Sequence, residues 1–212
     1  MIFSNNFKIN NSVIIQSKLI EDYSSRIILN RLSKTEINQF NKIQSDRRKR
    51  EFITARILLK QYFDDSVILT YKNKKPFLSD NIYISISHKD EELVICINES
   101  VQIGIDIEKI DTKIKKIKPK FCNIREQFEL EKNESIEMLT MLWCAKEAVY
   151  KCLDNQDDIY LKDISITLIN NEKGYGDIQG ERYLLDFKIH DGGYIVCHAQ
   201  KEHWYEYFTE NK

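Results

Sequence analysis

From residue 101 to 108 apolar and polar side chains alternate without a break: Val101, Ile103, Ile105 and Ile107 against Gln102, Gly104, Asp106 and Glu108. A period of two marks a β-strand, with the apolar residues on one face and both carboxylates on the other. Neighbouring carboxylates repel unless a cation or a shared proton compensates. Further along, Trp143, Glu147 and Lys151 stand four apart, the spacing of a single helix face. Met138, Leu142, Ala145, Val149 and Cys152 form an apolar stripe beside them, the core face of that helix. Where the helix face meets the acidic face of the strand, three carboxylates and an ammonium converge, and oxygen donors of this kind suit magnesium. Taken singly, each pattern is ordinary. Acids on a half-buried strand are usually solvated, and a Glu–Lys pair on a helix is worth roughly a few tenths of a kcal/mol.

Together the two segments resemble a family signature. Gly104-Ile105-Asp106-Ile107-Glu108 and Trp143-Cys144-Ala145-Lys146-Glu147-Ala148-Val149-Tyr150-Lys151 are similar to the Gly-Ile-Asp-Ile-Glu strand and Trp-x-x-Lys-Glu-Ala-x-x-Lys helix of the 4′-phosphopantetheinyl transferases. Ile84-Ser85-Ile86-Ser87-His88 resembles that family's Phe-Asn-Ile-Ser-His, and Lys75, Pro76 and Leu78 match its Gly-Lys-Pro-x-Leu. The similarity runs from about Arg47 to about Ala199. Two positions depart: Lys74 stands where the family has Gly, and Ser85 where it has Asn.

The resemblance implies transfer of the phosphopantetheine arm of coenzyme A to a serine of an apo acyl or peptidyl carrier protein, with release of adenosine 3′,5′-bisphosphate. Fatty-acid or secondary-metabolite biosynthesis would be served. By position, Asp106, Glu108 and Glu147 would hold magnesium, with Asp106 also against coenzyme A. Glu147 would accept the serine proton, directly or through water, and Lys151 would sit against the phosphates. His88 with Ser87, Lys75 and Arg56 would meet the nucleotide end, while Trp143 would pack. Two rivals stand beside this reading. One is a non-catalytic module that binds coenzyme A or a carrier. The other is a metal-dependent nuclease, disfavoured because Glu147 and Lys151 lie four apart in a helix and the chain is not basic.

Ser85–Cys96 and Phe187–Cys197 both read as strand, polar turn, strand, and each follows a strong helix, residues 47–63 and 135–153. Two similar α+β halves are expected, 1–103 and 104–212, the second carrying the acids. The resemblance adds a pseudo-twofold arrangement, as in the two-half, Sfp-like class, and a monomer. Ser33-Lys34-Thr35-Glu36 has the form of a capping box, and Asp46 is a candidate cap for the next helix. Lys113–Lys120 reads as a solvated basic linker, or else as an attraction for an acidic carrier.

A formal net charge of −1 argues against a general nucleic-acid or membrane binder. No apolar run approaches membrane length and no signal peptide is read, so a cytoplasmic protein is expected. The five cysteines lack Cys-x-x-Cys spacing and read as buried free thiols rather than a zinc site.

Overall fold

The computed structural model describes residues 4–78, 82–131, 134–190 and 192–202. The chain is α+β, as expected, and divides into two compact units, Met1–Ser100 and Val101–Lys212.

The first unit runs β1 (Asn5–Ile9), β2 (Ser12–Lys18), α1 (Arg26–Leu29), α2 (Lys34–Asn41), α3 (Asp46–Tyr62), β3 (Thr70–Lys72), β4 (Lys75–Phe77), β5 (Tyr83–Lys89) and β6 (Glu92–Asn98). Its main sheet has the antiparallel order β1-β2-β6-β5, with β3 and β4 as a separate ribbon. Helix α3 lays Ala55, Leu58 and Leu59 on Ile15, Leu93, Ile95 and Ile97 of the sheet. Its cap is Ser45, whose side chain accepts from the Arg48 N–H. Asp46, the expected cap, is the first helical residue and accepts the Tyr23 hydroxyl at 2.5 Å instead.

The second unit runs β7 (Ile103–Lys109), α4 (Ile114–Phe121), α5 (Ile124–Leu130), α6 (Ile136–Cys152), a 3₁₀ turn (Leu161–Asp163), β8 (Ser165–Leu168), β9 (Lys173–Ile178), β10 (Glu181–His190) and β11 (Tyr194–Lys201). Its sheet has the antiparallel order β7-β11-β10-β9-β8. The stripe read from the sequence is the buried face of α6: Leu142, Ala145, Val149 and Cys152 join Leu185, Phe187, Ile195 and Cys197 in the core. All five cysteines are buried and unbridged. The basic stretch is not a linker. It is helix α4, because Ile114 and Phe121 are buried with Ile117 packed beside them, which turns its lysines outward.

The two units share a topology. In each, a first strand (β2 or β7) leads through short helices to a seventeen-residue helix (α3 or α6) and a closing hairpin. The last strand (β6 or β11) then pairs with the first. They also share an internal fastening that sequence reading caught only in part. Ser33 and Asn123 each form a capping box, with Glu36 and Glu126 as the reciprocating acids. Both glutamates are buried, and each meets a lysine of the long helix: Lys60 at 3.4 Å from Glu36, Lys146 at 2.8 Å from Glu126. Each lysine donates to two carbonyls beyond its helix: Asp65 and Val67 at 2.9 and 2.8 Å, Leu161 and Ile164 at 3.1 and 2.5 Å. A buried ammonium is tolerable only when surrounded by acceptors in this way.

Candidate functional site

Helix α6 and strand β7 meet main chain to main chain. A Cβ on Gly104 would stand 1.9 Å from the Ala148 carbonyl oxygen and 2.9 Å from the Cys152 nitrogen, so only glycine fits. This contact brings the acidic face of β7 beneath the helix. Asp106, two residues on, is 4% exposed, which overturns the picture of a solvated acid on a half-buried strand. Ile103, Ile105 and Ile107 on the opposite face are buried as well.

Both strand acids are engaged by α6. Lys151 donates from Nζ to Asp106 Oδ1 at 2.7 Å and to the Ile105 carbonyl at 3.2 Å. Trp143 donates from Nε1 to Glu108 Oε1 at 2.9 Å and packs edge-on against Phe121, centroids 5.2 Å apart. The indole is therefore both the packing residue expected and a partner of an acid. Burial above all, then the charges of Asp106 and Glu108, pushes the Glu147 carboxyl up to about 7, against the pull of Lys151. Cys144 and Cys197 lie beside Asp106, and their thiols are raised well above the usual range, mainly by burial. Protonated thiols are poor ligands, so the donors on offer are oxygens.

Among the described residues, no three carboxylate, thiol or imidazole groups close on one point as a ready-made cage. The electrostatics nevertheless suit a hard dication. Three carboxylates share one ammonium, and burial, with the charges of Asp106 and Glu108 added to it, holds Glu147 partly protonated near neutrality.

The first unit holds a pocket of about 470 Å³ at the start of α3, lined by Ser45, Arg48, Glu51, Arg56, Tyr71 and His88 among others. Glu51 anchors it, pairing through Oε1 with Arg47 at 2.9 Å and His88 Nδ1 at 3.3 Å. Arg56 contributes wall rather than reach. Its guanidinium lies 3.3 Å over the Phe52 ring centroid, donates to the Phe52 and Leu69 carbonyls and pairs with buried Glu36. Burial holds its pKa down to about 10, against the charges of Tyr71 and Glu36.

Of the residues expected at the nucleotide end, Arg56 and His88 line this pocket, while Ser87 and Lys75 do not. Ser87 precedes His88 on β5, so alternation turns it to the other face, where it is buried. Lys75 starts β4, directly after a turn in which Asn73 and Lys74 have φ of 49° and 66°. Sequence reading missed Arg48 and Glu51. The four-residue spacing of Arg47 and Glu51 was a signal, though a common one.

Hairpin register locates the counterparts of the acids in the first unit. The pairs Lys18–Glu92 and Lys109–Tyr194 begin equivalent ladders, which matches Asp106 and Glu108 with Ile15 and Ser17. Matching Lys146 with Lys60 makes Gln61 the counterpart of Glu147. The same register pairs His190 with Lys89 rather than with His88. None of these three equivalent positions in the first unit carries a carboxylate.

Comparison with known proteins bears on that unit. The family model of the 4′-phosphopantetheinyl transferase superfamily matches residues 102–203. The C-terminal unit belongs to the 4′-phosphopantetheinyl transferase superfamily. Its Asp106, Glu108, Glu147 and Lys151 all lie inside the matched span. The chain is also similar to the 4′-phosphopantetheinyl transferase gsp of Aneurinibacillus migulanus, 35% identical over 91 residues. That match takes in 41% of this chain and spans 38% of the length of the relative. Among the described residues, no helix is long and apolar enough to cross a membrane.

Proposed function

We propose that this protein transfers the 4′-phosphopantetheine arm of coenzyme A to a serine hydroxyl of an apo acyl or peptidyl carrier protein, releasing adenosine 3′,5′-bisphosphate. The observation that carries the reading is the electrostatic neighbourhood that Asp106, Glu108, Glu147 and Lys151 share where α6 rests on Gly104, within a unit of the transferase superfamily.

Asp106, Glu108 and Glu147 are the residues that would hold magnesium. When bound, that ion supplies neutralisation of phosphate charge. Glu147 accepts the serine proton, a task suited to a carboxyl whose affinity for protons is raised toward neutrality. Lys151 places its ammonium against the phosphates and stabilises charge that develops there. Trp143 fixes the orientation of Glu108. The pocket of Arg48, Arg56 and His88 is proposed to take the adenosine 3′-phosphate end, with Lys75 and Ser87 nearby in sequence but outside the pocket lining.

The test is intact-mass spectrometry of apo carrier proteins incubated with this protein, coenzyme A and magnesium. A gain of one phosphopantetheine arm, abolished by a chelator, is the expected result. No gain across several carrier types, with coenzyme A still bound, would leave a binding module in place of a transferase. Glu147→Gln is expected to keep its fold by circular dichroism and to lose about a hundredfold or more of the transfer rate. Near-normal turnover would remove Glu147 from the mechanism.

A further inference from the structure

We propose that Lys151 is a displaceable counter-ion, its ammonium holding Asp106 until a divalent cation takes the carboxylate and thereby frees the lysine for an anion. The inference rests on the proposed cation-binding role of Asp106, Glu108 and Glu147.

The geometry makes Asp106 and Lys151 unequal members of their pair. Lys151 Nζ lies 2.7 Å from Asp106 Oδ1 and 3.2 Å from the Ile105 carbonyl, a pairing made with the strand itself. The Asp106 side chain is only 5% exposed, on a strand paired with β11 and pressed against α6 at Gly104. It cannot follow a retreating lysine. The Lys151 side chain is 27% exposed, near the end of α6, and has a flexible four-carbon stem. Lys146, on the same helix, shows the opposite design: a fully buried ammonium held by Glu126 and two carbonyls. One lysine is locked, the other can leave.

An ammonium and a dication competing for one carboxylate oxygen repel each other, more strongly on a partly buried flank than in open water. Glu108 presents no such conflict in its contact with Trp143, since the indole N–H is a neutral donor. Cation binding and the Lys151–Asp106 pair are therefore antagonistic, and by linkage each weakens the other to the same degree. The protein holds a cation more weakly than its carboxylates alone would allow. In exchange, loading the site releases a positive charge for phosphate, which places cation before anion.

The test uses Mn²⁺ as a paramagnetic stand-in, with free ion followed by electron paramagnetic resonance during titration of the full chain. Lys151→Met and Lys151→Gln are expected to bind Mn²⁺ about tenfold more tightly than the unaltered protein, and Lys151→Arg, which keeps the charge, about equally. Unchanged or weaker affinity in both neutral variants overturns the proposal. A second readout needs no variant: trace acetylation with peptide mass mapping should modify Lys151 faster when Mg²⁺ is added, while Lys146 stays protected throughout. A Lys151 rate indifferent to Mg²⁺ counts against displacement. If no form binds Mn²⁺ although circular dichroism reports an intact fold, the cation reading of the carboxylates falls, and the displacement falls with it.

Discussion

Gly104 and Lys74 put the smallest side chain to opposite tests. At Gly104 the demand is for space: an added methyl would sit 1.9 Å from a backbone oxygen, which no rotamer change relieves. Gly104→Ala should cost about 3 kcal/mol, read as a fall in the urea midpoint or a loss of soluble protein. At Lys74 the demand is for backbone freedom. The β3–β4 turn needs positive φ at both central residues; Asn73 tolerates 49°, but Lys74 at 66° carries a Cβ in the left-handed region. Lys74→Gly should raise stability by about 0.5–1 kcal/mol and lift the melting temperature. A lower melting temperature would show that the lysine side chain contributes more than its backbone costs. The sequence displays both letters plainly. It does not display why one glycine is indispensable, because the oxygen it must avoid lies on a helix more than forty residues away.

Across the strands of the second unit, Lys173, Asp186 and His198 form a row: β9 and β10 pair the first two, β10 and β11 the last two. Lys173 is ion-paired with Asp186, and His198 Nδ1 lies 3.6 Å from its other oxygen. Burial on its own would raise the Asp186 pKa, but the nearness of His198 and Lys173 outweighs it and holds the carboxyl below its ordinary value. A depressed carboxylate adds stability above its unfolded pKa of about 3.9 and loses it as pH falls through the folded value. Asp186→Asn should therefore lower the urea midpoint at pH 7, and the difference should shrink as the pH drops below about 3.9. A difference independent of pH would assign the loss to packing. At this scale most of the fold was legible, since α3 and α6 are long stretches without a breaker and the hairpins read as strand, polar turn, strand. Helix α4 was not, because five lysines and Pro119 in a short stretch imitate a linker. The spacing of Ile114, Ile117 and Phe121 was the overlooked sign, and burial of those three residues decides the matter.

The whole chain is built on one plan used twice, and the buried glutamate–lysine fastening is its least visible part. Removing the lysine strands a charge in the interior. Lys146→Met leaves Glu126 without a cation and should cost about 3–5 kcal/mol. Lys60→Met should cost less, because Arg56 also pairs with Glu36, at 3.4 Å. The two losses should add in the double variant, as the sites share no partner. Urea titration of the three proteins checks both statements, and equal single losses would show that Arg56 gives no cover. The sequence showed the capping box at Ser33 but not the lysines that complete each fastening, for a lysine within a helix reads as solvent-facing until its acceptors are known. The acids Asp106, Glu108 and Glu147 were legible because they fall on matched periodic faces. The commitments of Asp106 to Lys151 and of Glu108 to Trp143 depend on how β7 and α6 are set against each other.

That setting has a bearing on engineering. Main chain rests on main chain at Gly104, so the offset between Asp106 and Glu147 is set by a backbone-to-backbone contact more than by how neighbouring side chains fill their space. Surrounding residues can be exchanged for others of like volume without re-aiming the acids. A graft of this chemistry onto another sheet must carry strand and helix together as one piece, glycine included.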